Sequence, residues 1–117
     1  MEKVFVYGTL RKGESNHHLL VRETYIGRCQ VNNGYRLYNL GDYPAIISAE
    51  PSLPITGEVY EVSDDVMAEL DRLEECPVLY LRALVKTEFG QAWIYIYTRP
   101  VERFPVINHG DWCLRER

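Results

Sequence analysis

The sequence is short of cysteine, of long apolar runs and of excess positive charge, and each shortage argues against a class of protein. Its three cysteines, Cys29, Cys76 and Cys113, are odd in number and far apart, so a disulfide-stapled secreted scaffold is not expected. No apolar run approaches the roughly 20 residues that a membrane-spanning helix needs. The formal net charge of −4 disfavours a nucleic-acid partner, because phosphate binding requires a basic face. We therefore expect no membrane and no nucleic acid as partners.

Apolar residues are plentiful, at 46% of the 117 residues, and 26% are charged. This composition is typical of a globular protein, and the length suits one hydrophobic core, so residues 1–117 are predicted to form a single domain. The segment Met1-Glu2-Lys3 leads directly into strand-like residues and lacks the layout of a signal peptide. Together with the scattered cysteines, this predicts a cytoplasmic protein.

Strand-like segments outnumber helical ones. Strands are predicted at 4–6, 25–31, 35–38, 45–48, 55–62, 79–87 and 91–97. Asn32-Asn33-Gly34 has the composition of a hairpin turn between the second and third strands, and Glu88-Phe89-Gly90 has that of a turn between the last two. The segment 92–97 is apolar at successive positions, which favours a strand covered on both faces.

One convincing helix begins after Ser63, a good N-cap, and buries an apolar face before Pro77 ends the pattern. A shorter helix is predicted near residues 17–21, with Ser15 or Asn16 as its cap. The expected fold is α+β: a curled or closed mixed β-barrel with one main helix and one short helix packed against it.

The segment 4–13 is the first candidate for a binding site. Its strand residues, Val4 to Val6, stop at Gly8, where backbone N–H groups lose their ladder partners and can form an anion-binding concavity. Gly8 lets a ligand approach the backbone, and Thr9 adds a hydroxyl donor. An ordinary strand-to-loop transition is the alternative.

The end of the main helix carries a carboxylate suited to proton transfer. With Val66 at zero on a helical wheel, Glu74 falls at about 80°, inside the apolar arc, whereas Glu75 falls at about 180°, on the polar side. Partial burial near a negative helix terminus raises the pKa of a carboxyl group towards the range useful for acid–base catalysis. The alternatives are a structural ion pair of Glu74 with an arginine such as Arg82, or a side chain that snorkels to solvent at the edge of the apolar face.

These two segments together resemble the γ-glutamylcyclotransferase family, nearest its γ-glutamylamine cyclotransferase branch. The resemblance rests on Tyr7-Gly8-Thr9-Leu10, Arg11-Lys12-Gly13, Asn16-His17, Leu70-Asp71-Arg72-Leu73-Glu74, Cys76-Pro77 and Tyr80. Further similarity at Tyr43-Pro44-Ala45, Gly57-Glu58-Val59-Tyr60 and Gly110-Asp111-Trp112 extends it over most of the chain.

The resemblance implies release of 5-oxoproline from a γ-glutamyl amine or γ-glutamyl amino acid, by attack of the substrate's α-amine on its own γ-carbonyl. Glu74 would be the catalytic general acid/base, and the Tyr7-to-Leu10 loop would hold the substrate carboxylate. No metal and no organic cofactor is required. The substrate-binding residues expected on this basis are Tyr7, Gly8, Thr9, Leu10, Tyr43, Tyr80 and Tyr97.

Two details of that site follow as expectations. Tyr80 and Tyr97 are candidate hydroxyl donors, although packing with a polar tip is an equal alternative. We expect the Tyr43-Pro44 turn and the C-terminal tail to form the pocket wall that selects the departing amine.

Three other functions compete with this interpretation. A non-catalytic module of the same fold could capture a small acidic metabolite. Cys76 could act as the nucleophile of a hydrolase, although its acidic neighbour disfavours a thiolate. A metal hydrolase would need His17, His18, His109 and Asp111, whose spacing matches no recognised ligand pattern.

Overall fold

The computed structural model describes residues 1–115. Seven strands and one α-helix occur within this range, with two short 3₁₀ helices. The strands are β1 (Glu2–Val6), β2 (Thr24–Val31), β3 (Tyr35–Asn39), β4 (Pro44–Ser48), β5 (Ile55–Val62), β6 (Tyr80–Thr87) and β7 (Gly90–Tyr97). The α-helix is α1 (Asp64–Leu73), and the 3₁₀ helices are His17–Leu20 and Trp112–Leu114.

Five strands form a mixed sheet in the order β2-β5-β1-β7-β6. β1 pairs antiparallel with β5 and parallel with β7, which places it at the centre. Because side chains alternate across a strand, β1 serves two cores: Phe5 faces one, and Val4 and Val6 face the other. The end of this central strand is where the loop that follows β1 begins.

A closed barrel is not present, so this part of the predicted fold is wrong. β3 and β4 pair only with each other, and β2 and β6 remain the two edges of the sheet. Leu37 of β3 and Ile46 of β4 pack with Trp112 into the core beneath Phe5. The β3–β4 hairpin therefore fills the face that a closed barrel would enclose. The α+β class and the packed helices are confirmed.

The predicted hairpin at Asn32-Asn33-Gly34 is also wrong in its pairing. Gly34 has a φ of +94°, as a turn glycine does, but β2 pairs with β5 and β3 pairs with β4. The turn therefore joins two different sheets. Strand partners are chosen by burial across the whole chain, which a local turn signal does not contain.

The other main elements agree with the sequence. Ser63 caps α1, since its hydroxyl accepts from the Val66 N–H at 3.2 Å. β6 and β7 form the expected hairpin, and both faces of β7 are covered. The second 3₁₀ helix is an addition that the sequence pattern missed.

None of the helices in residues 1–115 has both the length and the apolar composition needed to cross a membrane. The three cysteines are free thiols, with Cys29 buried and the other two partly buried. The cytoplasmic location stays a prediction.

Candidate active site

The C-terminus of α1 fixes the position of Glu74. The Cys76 N–H donates to the Asp71 carbonyl at 2.9 Å, and the Glu75 N–H donates to the Arg72 carbonyl at 3.1 Å. This pair of bonds is the Schellman motif, which requires a left-handed residue after the cap, and Glu75 supplies it with a φ of 50°. The Glu74 N–H still donates to Leu70, so the side chain stays on the helix face that Leu70 buries.

The loop that follows β1 lies against the turn before β4. A Cβ atom at Gly8 would lie 2.4 Å from Cγ of Pro44, so only glycine fits there. Within residues 1–115, the backbone N–H groups of Gly8, Thr9 and Leu10 donate to no acceptor. Three successive N–H groups without partners are able to bind an anionic group.

Contacts from outside the loop hold it in shape. Asn16 Nδ2 donates to Thr9 Oγ1 at 3.0 Å, and the Asn16 N–H donates to the Thr9 carbonyl at 2.8 Å. His17 Nδ1 donates to the Leu10 carbonyl at 3.0 Å. Asn16 therefore braces the loop. It occupies the N-cap position of the 3₁₀ helix, as predicted, but its side chain makes no capping hydrogen bond.

A cavity of about 350 Å³, including its opening, lies between this loop and the end of α1. Its lining residues are Phe5, Val6, Tyr7, Gly8, Thr9, Leu10, Tyr43, Pro44, Glu74, Tyr80 and Tyr95. A second cavity of about 400 Å³ shares Thr9, Tyr43, Glu74 and Tyr80 with it and adds Asn16, Leu73, Glu75 and Leu79. Glu74 thus lines both spaces.

The Glu74 carboxylate has neither an ion pair nor a side-chain hydrogen bond among residues 1–115. Burial raises the pKa of Glu74 from its ordinary value of 4.5 to about 7. The alternative pairing with Arg82 is wrong, because Arg82 Nε lies 3.3 Å from Asp71 Oδ1 instead. Glu74 can therefore exchange a proton near neutral pH.

The tyrosine hydroxyls of the cavity are oriented by backbone carbonyls. Tyr80 Oη donates to the Pro44 carbonyl at 2.8 Å, and Tyr7 Oη donates to the Tyr95 carbonyl at 2.6 Å. Each hydroxyl hydrogen is thereby used, and Tyr80 offers a ligand only its acceptor oxygen. In this arrangement Tyr80 offers an acceptor to the cavity, and its role as a hydroxyl donor to the substrate stays a prediction. Burial raises the pKa of both Tyr7 and Tyr80, so both stay protonated.

Of the residues expected at the site, the structure gathers all but one around the cavity: Tyr7, Gly8, Thr9, Leu10, Tyr43, Glu74 and Tyr80. Tyr97 lines neither space, and its ring packs against Tyr80 with centroids 5.1 Å apart. The described part of the C-terminal tail also lies elsewhere, because Asp111 pairs with Arg11 at 2.6 Å. Up to residue 115, the tail is therefore not a wall of either cavity, contrary to the expectation.

Tyr95 and Asn16 are among the lining residues that sequence reasoning missed. Tyr95 donates from its hydroxyl to Asp71 Oδ1 at 2.7 Å and reaches the cavity because β7 pairs with β1. That pairing joins distant segments and has no local signal. Asn16 did have a signal, since it lies within the stretch that carries the family resemblance.

The chemistry of the lining excludes some alternatives. The residues around the two cavities include neither cysteine nor histidine, so Cys76 is not placed to attack a ligand there. In the part of the chain that the structure describes, no three histidine, cysteine or acidic residues are grouped to bind a metal ion. Neither lining contains lysine or arginine, so the loop N–H groups are its source of positive potential.

Comparison with known proteins agrees with this geometry. Residues 4–114 match the family model described as gamma-glutamyl cyclotransferase, AIG2-like. The gamma-glutamylcyclotransferase family protein YtfP of Escherichia coli is 37% identical over 115 residues, covering 98% of this chain and 99% of that protein. Bovine gamma-glutamylaminecyclotransferase is 37% identical over 110 residues, covering 81% of this chain and 64% of that protein.

The fold has a close counterpart among crystal structures. A mouse AIG2-like protein superposes with a TM-score of 0.84 at 24% identity, covering 95% of this chain and 87% of that one. The chain therefore belongs to the AIG2-like gamma-glutamyl cyclotransferase family and is an enzyme of that type.

Proposed function

We propose that this enzyme releases 5-oxoproline from a γ-glutamyl amine or γ-glutamyl amino acid, with Glu74 as its general acid/base. One observation carries the proposal. An unpaired carboxylate with a pKa of about 7 shares a cavity with three N–H groups that have no acceptor in the described chain. A γ-glutamyl compound has complementary groups: a carboxylate for the N–H groups and an α-ammonium for the glutamate.

The N–H groups of Gly8, Thr9 and Leu10 support binding of the substrate's α-carboxylate. The α-ammonium then faces acceptors. Glu74 offers a carboxylate, and Tyr80 offers the lone pairs of a hydroxyl whose hydrogen is already donated to Pro44. The donors on one side and the acceptors on the other set the orientation of the bound substrate.

The reaction needs no nucleophile from the protein, because the attack is intramolecular. The α-nitrogen, once deprotonated, bonds to the γ-carbonyl carbon, and the bond from that carbon to the departing nitrogen breaks. Two protons leave the original ammonium and two arrive on the departing amine, so the charges balance. Glu74 accepts each proton from the attacking nitrogen and returns it to the departing one.

The protein's second contribution is to hold the γ-glutamyl chain folded. A flexible substrate rarely places its amine over its own carbonyl, and binding between the loop and the end of α1 lowers that entropic barrier. One loop N–H that is not engaged by the carboxylate can stabilise the developing oxyanion. The departing amine leaves through the adjoining space beside Leu73, Glu75 and Leu79.

Glu74→Gln tests the proposal, because it keeps the shape and removes the base. Release of 5-oxoproline from a panel of γ-glutamyl amines and amino acids should fall by roughly 10²- to 10⁴-fold. For the wild type, kcat/KM should rise with pH and level off above an apparent pKa of about 7, because the base must be unprotonated.

Glu69→Gln is the matched control, since Glu69 is exposed on the same helix and lines neither cavity. It should turn over substrate like the wild type. A Glu74→Gln variant that did so too would contradict the mechanism. Binding of γ-glutamyl compounds without any product would instead identify a non-catalytic module.

A further inference from the structure

The hydrogen bond between Asn16 and Thr9 has a direction, and that direction has a consequence for ligand binding. Asn16 Nδ2 is the donor, at 3.0 Å, so Thr9 Oγ1 is the acceptor. A threonine hydroxyl also carries one hydrogen of its own to donate. In the part of the chain that the structure describes, the Thr9 hydroxyl donates to no acceptor.

Thr9 lines both cavities, so its free hydrogen has a destination there. The neighbouring hydroxyls differ in this respect. The hydrogens of Tyr7 and Tyr80 are donated to backbone carbonyls, and that of Tyr95 is donated to Asp71. Thr9 therefore adds a side-chain donor to the same loop that presents three unpartnered N–H groups.

Asn16 is well placed to impose this direction. Its backbone N–H donates to the Thr9 carbonyl at 2.8 Å, and its own carbonyl accepts from the Leu19 N–H at 3.1 Å, so both sides of the residue are fixed. Its side chain also borders the second cavity.

We propose that Asn16 is a positioning residue, which turns the Thr9 hydroxyl hydrogen into the cavity so that Thr9 donates to the substrate carboxylate. This deepens the proposed function and rests on it, since the carboxylate belongs to the γ-glutamyl group. It assigns recognition of that carboxylate to a side chain as well as to the loop backbone.

Reversing the direction of the bond is the sharpest test. Asn16→Asp puts a carboxylate, which can only accept, beside Thr9, and the hydroxyl then turns away from the cavity to donate to it. Thr9→Val removes the hydroxyl and keeps the branched shape. The two substitutions and their combination form a double-mutant cycle.

The measurements are KM and kcat for 5-oxoproline release and, separately, the dissociation constant of 5-oxoproline itself, which carries the same carboxylate. Each single variant should raise KM and the dissociation constant roughly ten- to a hundredfold, the typical loss of a hydrogen bond to a charged group. The value of kcat should change little in both variants because Glu74 is untouched, and in Thr9→Val, which adds no charge, the pH at which kcat levels off should also stay the same.

The double variant, Thr9→Val with Asn16→Asp, gives the decisive measurement. In the Thr9→Val background no hydroxyl remains to redirect, so Asn16→Asp should add only the small repulsion of its charge. Thr9→Ser should restore wild-type KM. Asn16→Ala leaves the hydroxyl free to turn either way, so its KM should lie between those of the wild type and Asn16→Asp. This variant replaces Asn16→Asp in the test if Asn16→Asp does not fold.

The chain offers a matched control in Asn32 and Ser52, an exposed carboxamide–hydroxyl pair 2.8 Å apart that lines neither cavity. Asn32→Asp makes the same chemical change and should leave KM unaltered.

Three outcomes would overturn the inference: unchanged KM and dissociation constant in Asn16→Asp, full additivity in the cycle, or failure of the wild type to bind 5-oxoproline. A wild type that binds 5-oxoproline but releases none from any substrate would contradict the proposed function alone. The dissociation constants would then still decide the role of Asn16.

Discussion

Two groups of buried charge flank the loop that follows β1, and they are built on opposite plans. On one side, Arg11, Glu58 and Asp111 are all less than 6% exposed and are bonded to one another. On the other side, Glu74 faces the cavity without an ion pair among residues 1–115. The loop between them carries the unpartnered N–H groups.

In the first group the polar atoms find partners. Arg11 Nε lies 2.9 Å from Glu58, and its Nη1 lies 2.6 Å from Asp111. The Tyr60 hydroxyl and the Lys12 N–H both donate to the other oxygen of Glu58. Burial alone would lower the pKa of Arg11, but the bonds to the two carboxylates raise it instead. This group therefore ties the loop to β5 and to the second 3₁₀ helix.

The two arrangements differ in the hydrogen-bonding capacity that they leave free for a ligand. A buried ion that is fully bonded is costly to break but has no capacity left for a ligand. A half-buried acid without a partner has a raised pKa and carboxylate oxygens that are free to bind a ligand, and it lowers folding stability. The proposed mechanism needs both, because the first group holds in place the loop that binds the substrate beside Glu74.

Breaking the bonded group should have the largest effect on stability. Arg11→Met leaves two buried carboxylates without their cation, and we expect it to lower the free energy of unfolding by about 3 to 5 kcal/mol in denaturant titrations. Arg28 contacts Asp111 at 3.5 Å, but its side chain is 63% exposed. Arg28→Met should therefore cost less than about 1 kcal/mol. Equal losses in the two variants would show that the buried bonds of Arg11 stabilise the fold no more than the exposed contact of Arg28 does.

Removing the unpaired Glu74 carboxyl should raise the free energy of unfolding, by less than Arg11→Met lowers it. The folded-state pKa of Glu74, about 7, exceeds its ordinary 4.5, so the folded state binds a proton more tightly than the unfolded chain. Wild-type stability should consequently fall as pH rises from about 4.5 to 7, by roughly 2 to 3 kcal/mol from this group.

Glutamine does not ionise, so Glu74→Gln should exceed the wild type in stability by that amount at pH 8 and lose its advantage below pH 4.5. Denaturation curves at the two pH values measure this. Glu69→Gln should stay within about 0.5 kcal/mol of the wild type at both. A Glu74→Gln variant that is less stable than the wild type at pH 8 would mean that the acid is well partnered in solution.

The smallest expected effect concerns the backbone beside the acid. Glu75 occupies a left-handed position, with a φ of 50°, where glycine carries no steric cost. Glu75→Gly should raise the free energy of unfolding by about 0.5 to 1 kcal/mol. Glu69→Gly makes the same change inside α1 and should lower it by about 1 kcal/mol. If the two shifts had the same sign, the Schellman geometry at Glu75 would be wrong.

Local signals predicted the helix end and its acid. Ser63, the apolar positions Val66, Met67 and Leu70, and the wheel position of Glu74 depend only on neighbouring residues, and the structure agrees with all three. Leu73, which the same spacing places on the apolar face, is 38% exposed instead. The hairpin at Glu88-Phe89-Gly90 was predictable for the same reason. The Asn32-Asn33-Gly34 turn was misread because its glycine reports a backbone conformation and says nothing about which strands pair.

The sequence by itself thus determined the class of fold, the N–H-rich loop, the inward direction of Glu74 and the family, since each is encoded in a short stretch. Only the tertiary structure decided that the sheet stays open, that Arg82 takes Asp71 and leaves Glu74 unpaired, and that Tyr80 presents an acceptor to the cavity. These outcomes depend on competition between partners far apart in the chain, and a hydrogen bond's direction is settled only when both of its partners are in place.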